Sequence, residues 1–207
     1  MNEPFTLERL LAPITREEFF ADYYEKKPLI IRRKSPDYWR ELLTADDVNR
    51  VITTRNMHHP AVGMTNATRR MTPEEYTYPS GLIDNARLYR LWADGCTITC
   101  NGFETEHPAL ALLCRSMERE MSIRFQTNLY FTPPGAQGFR THYDTHDVFA
   151  LQVHGSKHWV LYNTPVELPY RRQDFVPEKH VTGDVTGEFV LEAGDYLDRL
   201  AWDDTLR

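Results

Sequence analysis

Asn128-Leu129-Tyr130-Phe131-Thr132-Pro133-Pro134-Gly135-Ala136-Gln137-Gly138-Phe139-Arg140-Thr141-His142-Tyr143-Asp144 is the stretch on which the fold turns. It holds two runs rich in β-branched and aromatic residues, split by a Pro-Pro-Gly break. The reading puts strands over 124–132 and 138–144. Downstream the pattern repeats, with strands expected over 148–153, 157–162 and 188–191, each bounded by Gly, Pro or Asp. His154-Gly155-Ser156 closes a hairpin between two of them. Short strands at this cadence, with no helix between them, point to an antiparallel sandwich or barrel.

Upstream the texture changes. Thr97-Ile98-Thr99-Cys100 reads as one more strand, and Pro108 to Met121 as a helix with Leu110, Leu113, Met117 and Met121 on one side. Residues 1–55 read as short helices. Thr15-Arg16-Glu17-Glu18 and Thr44-Ala45-Asp46-Asp47 are N-terminal caps ahead of Phe19, Phe20 and Tyr23 and of Val48 and Val51. Lys27-Pro28 ends the first of these helices, and Leu29-Ile30-Ile31 reads as a strand. Asn56 to Thr72 is polar without a period, Gly81 to Trp92 is a helix candidate, and His58-His59 reads as surface. The expected division is an N-terminal helical region over 1–95, packed on a strand-rich domain over 96–207.

The chain has 207 residues, of which 41% are hydrophobic and 12% aromatic, enough for a packed core. Its net charge of −6 argues against direct nucleic-acid binding, which depends on neutralising phosphates, and leaves room for docking a basic protein. Cys96, Cys100 and Cys114 form neither a disulfide framework nor a paired zinc motif. Met1-Asn2-Glu3-Pro4 has no basic or apolar leader character, and the apolar run near Pro108 to Cys114 is too short for a membrane span. A reducing, membrane-free setting is expected, most simply the cytoplasm.

The chemistry concentrates between Asn128 and Lys157. On a strand, His142 and Asp144 share a face, and an imidazole and a carboxylate so placed can grip one divalent cation. On the hairpin's second strand Lys157 shares a face with Trp159 and Leu161. An ammonium aligned with a core stripe is costly unless an anion meets it, although Trp159 facing outward with Lys157 reaching for solvent is the other reading. Gln126, Asn128 and Tyr130 form a polar stripe opposite Phe125, Thr127, Leu129 and Phe131, which fits a solvated face or a polar pocket.

The run Asn128 to Phe139, continuing through His142-Tyr143-Asp144-Thr145-His146-Asp147-Val148-Phe149 and Leu151-Gln152-Val153-His154-Gly155-Ser156-Lys157-His158-Trp159, resembles the JmjC-type cupin hydroxylases, most of all their ribosomal-oxygenase (cupin-4) branch. Phe19-Phe20 through Tyr24-Glu25-Lys26-Lys27-Pro28-Leu29 is similar to that branch's opening. The resemblance implies an α+β, mainly β fold: a double-stranded β-helix (a cupin or jelly roll) under an N-terminal helical cap. It implies Fe(II)- and 2-oxoglutarate-dependent hydroxylation of a protein side chain, typically on a basic ribosomal protein. His142 and Asp144 match the first two iron ligands. Lys157 matches the residue that binds the distal carboxylate of 2-oxoglutarate, and Asn128 and Tyr130 match pocket positions for cosubstrate or substrate.

One departure stands out. The family's third ligand is a histidine shortly after a Gly-Asp turn and a Pro-Arg-Gly-like segment. The turn is present in Leu191-Glu192-Ala193-Gly194-Asp195-Tyr196-Leu197, but Asp198-Arg199-Leu200-Ala201-Trp202-Asp203-Asp204-Thr205-Leu206-Arg207 contains no histidine. Trp202, Asp203, Asp204 or Thr205 falls at the ligand position. The expectation is a barrel incomplete at its C-terminal end, where the family continues into helical domains that dimerise, with turnover impaired and a homodimer among the expected partners. Three functions follow as alternatives: a protein hydroxylase or its descendant, a catalytically silent or truncated cupin acting as a binding module, and a metal-binding cupin of isomerase or storage type.

Overall fold

The computed structural model describes residues 5–163, 170, 172–173, 175–176, 179, 183–199 and 204–206. Its elements run α1 (Leu7–Leu11), α2 (Arg16–Asp22), β1 (Leu29–Ile31), α3 (Ala45–Thr54), β2 (Val62–Thr65), α4 (Asn85–Ala93), β3 (Thr97–Cys100), α5 (Pro108–Met121), β4 (Leu129–Phe131), β5 (Val148–Leu151), β6 (Ser156–Tyr162), β7 (Val185–Glu192), β8 (Tyr196–Arg199) and β9 (Asp204–Leu206). They fall into two compact units. The first comprises Met1–Leu7 and Leu42–Phe139, the second Glu8–Glu41 and Arg140–Arg207, so each draws on separate stretches of chain.

In the first unit the helices start where the sequence caps them. The Thr44 hydroxyl accepts from Asp47 N at 3.2 Å, and an Asp47 carboxylate oxygen accepts from Thr44 N at 3.0 Å. This reciprocal cap opens α3, whose Val48, Val51 and Ile52 are buried. Pro108 occupies the first turn of α5, where its missing N–H would have no partner in any case. Leu110, Leu113, Cys114 and Met117 form the helix's buried stripe. Asp84 caps α4, which therefore begins four residues into the span the sequence suggested. The antiparallel sheet β2-β3-β4 is registered with Thr65 opposite Thr97 and Ile98 opposite Phe131. Val62, Met64, Ile98 and Cys100 are buried on one face, and Thr97, Thr99 and Tyr130 share the other.

The second unit holds two antiparallel sheets of three strands, ordered β1-β8-β5 and β7-β6-β9. Ile30, Leu197 and Ala150 lie side by side across the first sheet. They pack with Trp159, Leu161, Leu191 and Phe189 of the second in one apolar cluster. Two sheets sharing such a core are a sandwich, the jelly-roll arrangement. On its other face the first sheet carries Tyr196 and Phe149, whose rings lie 6.2 Å apart, with Phe19 of α2 6.2 Å beyond Phe149. The α+β jelly-roll reading holds, and among the described residues the sheets remain open rather than closing into a barrel.

The Gly-Asp turn before β8 ties this unit together. Gly194 sits at φ +96°, and a Cβ there would come within 2.0 Å of the Ser35 carbonyl oxygen. The Asp195 carboxylate accepts from Arg33 N at 2.9 Å and from Glu192 N at 3.0 Å. Its backbone carbonyl accepts from the Trp39 indole at 3.2 Å.

Three expectations need correction. The strand read over 138–144 does not form; that segment is irregular. The strand read over 124–132 shrinks to β4. Within the polar stretch 56–72, Val62–Thr65 forms β2, because it pairs along its whole length with β3.

Candidate functional site

His142 and Asp144 lie between β4 and β5. Although no strand carries them, they meet: His142 Nε2 is 3.8 Å from Asp144 Oδ1. The side chains keep 27% and 29% of their exposure, so both are held yet open to a ligand. A carbonyl can only accept, so the 2.8 Å contact between His142 Nδ1 and the Arg140 carbonyl makes Nδ1 the donor. In the neutral ring this leaves the lone pair on Nε2, facing the carboxylate. That is the tautomer a metal-binding histidine needs, oriented by a backbone carbonyl as such ligands commonly are.

The pair fits a divalent cation as two of its ligands, one nitrogen and one oxygen. Among the described residues no third His, Cys, Asp or Glu joins them in a metal-holding group. The neighbouring histidines are placed elsewhere. His146 and His154 are exposed, and His158 pairs with Glu188 at 3.0 Å on the strand face opposite Lys157. Trp202 and Asp203 lie outside the described residues, as do the side chains of Asp204 and Thr205.

Lys157 stands on β6 opposite Leu191. Trp159 and Leu161 are 5% and 4% exposed, so the stripe they share with Lys157 faces the core, and the reading with Trp159 outward is excluded. The Lys157 ammonium lies 5.0 Å from the centre of the Trp159 ring, at the rim of that apolar face. Asn128 and Tyr130 belong to the first unit. The Asn128 amide oxygen accepts from Gln126 Nε2 at 2.7 Å and from Gly102 N at 3.3 Å. Tyr130 is 48% exposed and meets Phe139 edge to face at 5.3 Å. Gln126, Asn128 and Tyr130 are all exposed, with half-buried residues between them, so the polar stripe persists beyond the strand itself.

Sequence reasoning missed two features of this region. Tyr143, between the candidate ligands, is 5% exposed, and the alternation of an extended segment was the available signal. Asp198 is 2% exposed in the middle of β8, flanked by Leu29 and Phe149. Burial, reinforced by Asp147, pushes its pKa up to about 7. Burial, with Asp147, Glu25 and Asp198 nearby, also pushes the Tyr24 phenol up to about 12. No local pattern announces such a carboxyl; its surroundings come from strands far apart in sequence.

Residues 101–202 match the family model described as JmjC domain. The chain carries a JmjC domain over those residues. Relatives of this JmjC chain include the bifunctional lysine-specific demethylase and histidyl-hydroxylase NO66 of Aedes aegypti, 31% identical over 192 residues, covering 91% of this chain and 30% of the relative. Ribosomal oxygenase 1 of Danio rerio is 28% identical, covering 91% of this chain and 35% of the relative. Among solved structures, YcfD, a ribosomal oxygenase from Escherichia coli in complex with cobalt and 2-oxoglutarate, superposes with a TM-score of 0.59 at 16% identity, covering 92% of this chain and 47% of that one. That likeness speaks for the fold. This JmjC chain thus spans about a third of the length of these curated relatives and about half of the solved one. Among the described residues no helix is long and apolar enough to cross a membrane.

Proposed function

We propose that the chain is the oxygenase portion of an Fe(II)- and 2-oxoglutarate-dependent protein hydroxylase. The observation that carries the reading is the His142–Asp144 pair, with Nε2 and Oδ1 3.8 Å apart and the imidazole Nδ1 turned to the Arg140 carbonyl. Iron bound there, with 2-oxoglutarate and dioxygen, would supply insertion of one oxygen atom into a substrate C–H bond, giving succinate and carbon dioxide as coproducts. The chain's residues hold and orient. His142 and Asp144 grip the metal, and Lys157 pairs with the distal carboxylate of 2-oxoglutarate. Its stacking on Trp159 keeps the stem fixed at the rim of the apolar core. Asn128 and Tyr130 offer an amide and a phenol to cosubstrate or substrate.

The substrate class we propose is a basic protein of ribosomal type, reached in the cytoplasm. Support comes from the chain's net charge of −6, which complements a basic partner, and from the names of its relatives. Among the described residues the pair supplies two protein ligands, and two hold a metal more weakly than three, so iron in excess is the condition under which turnover is sought.

Succinate production from 2-oxoglutarate under anaerobic iron loading and then air tests the reading. Iron-dependent succinate that disappears in His142→Ala supports it. Tight 2-oxoglutarate binding with no succinate would favour the binding-module alternative, and no binding at all would overturn the reading.

A further inference from the structure

Among the described residues no strand pairs with the segment that carries both candidate ligands. β4 ends at Phe131 and β5 begins at Val148, and His142 and Asp144 fall in the irregular chain between them. A chelating pair works only if its backbone is fixed to within about half an ångström, which strand pairing usually ensures. Here something else must do so, and the residue placed for it is Tyr143.

Tyr143 is 5% exposed, far more buried than the ligands on either side of it. Its ring meets Phe175 edge to face, with centroids 5.3 Å apart and planes at 83°. Its hydroxyl donates to the Gln173 carbonyl at 3.0 Å. That acceptor is fixed in turn. Gln173 N donates to the Tyr170 carbonyl at 2.7 Å, while Tyr170 N donates to Gln173 Oε1 at 2.7 Å, so backbone and side chain close the same turn. Tyr143 therefore joins the ligand segment to Phe175 through its packed ring and to the braced turn through its hydroxyl.

We infer that Tyr143 is a positioning residue that anchors the backbone between His142 and Asp144 to the Tyr170–Gln173 turn and so sets the geometry of the metal pair. This rests on the metal reading above. Both ligands keep more than a quarter of their exposure on either side of this buried residue, so seating Tyr143 fixes the backbone from which both project. The His142–Arg140 contact then fixes the ring itself.

The test is cobalt(II) titration of the full chain, followed by calorimetry and by the visible cobalt absorption band, on the wild type, Tyr143→Phe, Gln173→Ala and His142→Ala. The metal-free melting temperature of each is recorded alongside. Tyr143→Phe keeps the ring and loses the hydroxyl. Its cobalt dissociation constant should rise about tenfold, the usual scale for groups that orient a ligand, with a displaced band and little change in melting temperature. Gln173→Ala loosens the turn but leaves the acceptor carbonyl, so it should weaken cobalt in the same direction by less. Wild-type cobalt affinity and band in Tyr143→Phe overturn the inference. If that variant fails to fold, wild-type affinity in Gln173→Ala does so. The underlying reading is judged separately by His142→Ala: unchanged cobalt binding there removes the metal pair itself and the anchor with it.

Discussion

His142 presents Nε2 to Asp144 Oδ1 across 3.8 Å, while its Nδ1 is tied 2.8 Å away to the Arg140 carbonyl. Nitrogen and oxygen donors are thereby brought together on a stretch of chain that belongs to no strand. Replacing either donor should act on the metal far more than on the fold, because both side chains are more than a quarter exposed.

Asp144→Asn keeps the shape of the side chain and removes its charge. Cobalt or iron affinity should fall at least tenfold, since a neutral amide is a much poorer ligand than a carboxylate for such ions. Titration calorimetry checks this, and a melting temperature within a few degrees of wild type shows that the loss is local.

Lys157→Met preserves an apolar stem against Trp159 and deletes the ammonium. Affinity for 2-oxoglutarate in the metal-loaded protein should fall about 10- to 100-fold, the scale of one hydrogen-bonded charge pair of about 1.5–3 kcal/mol. Metal affinity should be unchanged. Competition binding with succinate, which keeps the distal carboxylate, should show the same loss.

Asp198 gives the fold a pH dependence of definite sign. Its carboxyl stays protonated in the folded chain until about pH 7, chiefly because it is buried and further because Asp147 is near. Unfolded, it titrates near the ordinary value of about 3.9. The folded state therefore holds an extra proton between these limits. The group's stabilising contribution is complete below about pH 4 and is lost as pH rises towards 7. Asp198→Asn should remove that slope, on the order of 4 kcal/mol across the window, and make the variant relatively more stable at neutral pH. Urea midpoints measured from pH 4 to 8 decide it.

Gly194→Ala should destabilise by roughly 3 kcal/mol or more. It forces a side chain into a positive-φ turn and onto the Ser35 carbonyl, 2.0 Å from the new Cβ. The same change tests whether the Gly-Asp turn holds the unit together, because Asp195 beside it accepts from Arg33, Glu192 and Trp39. Chemical denaturation at fixed pH measures the loss.

Much of this was legible in the sequence where local rules suffice. Pro108 and the Leu110, Leu113 and Met117 stripe place α5 at its observed bounds, and the Thr44 cap places α3. His-x-Asp spacing and the parity of Lys157 with Trp159 are visible in the sequence itself. The failures are non-local. Val62–Thr65 forms a strand because β3 pairs with it, although Gly63 and two polar neighbours hide the alternation. Residues 138–144 alternate as a strand should, yet no partner strand pairs with them among the described residues. The buried carboxyl of Asp198 depends on β1 and β5 flanking β8, which no window of sequence contains.

The most direct measurement of the central claim is calorimetric titration of 2-oxoglutarate into the protein, under anaerobic conditions, with and without iron(II). If His142 and Asp144 hold the metal and Lys157 the far carboxylate, 2-oxoglutarate binds with iron present, binding collapses when iron is withheld, and His142→Ala behaves as the iron-free wild type. Binding that is indifferent to iron, or a His142→Ala variant that matches the iron-loaded wild type, would contradict the account.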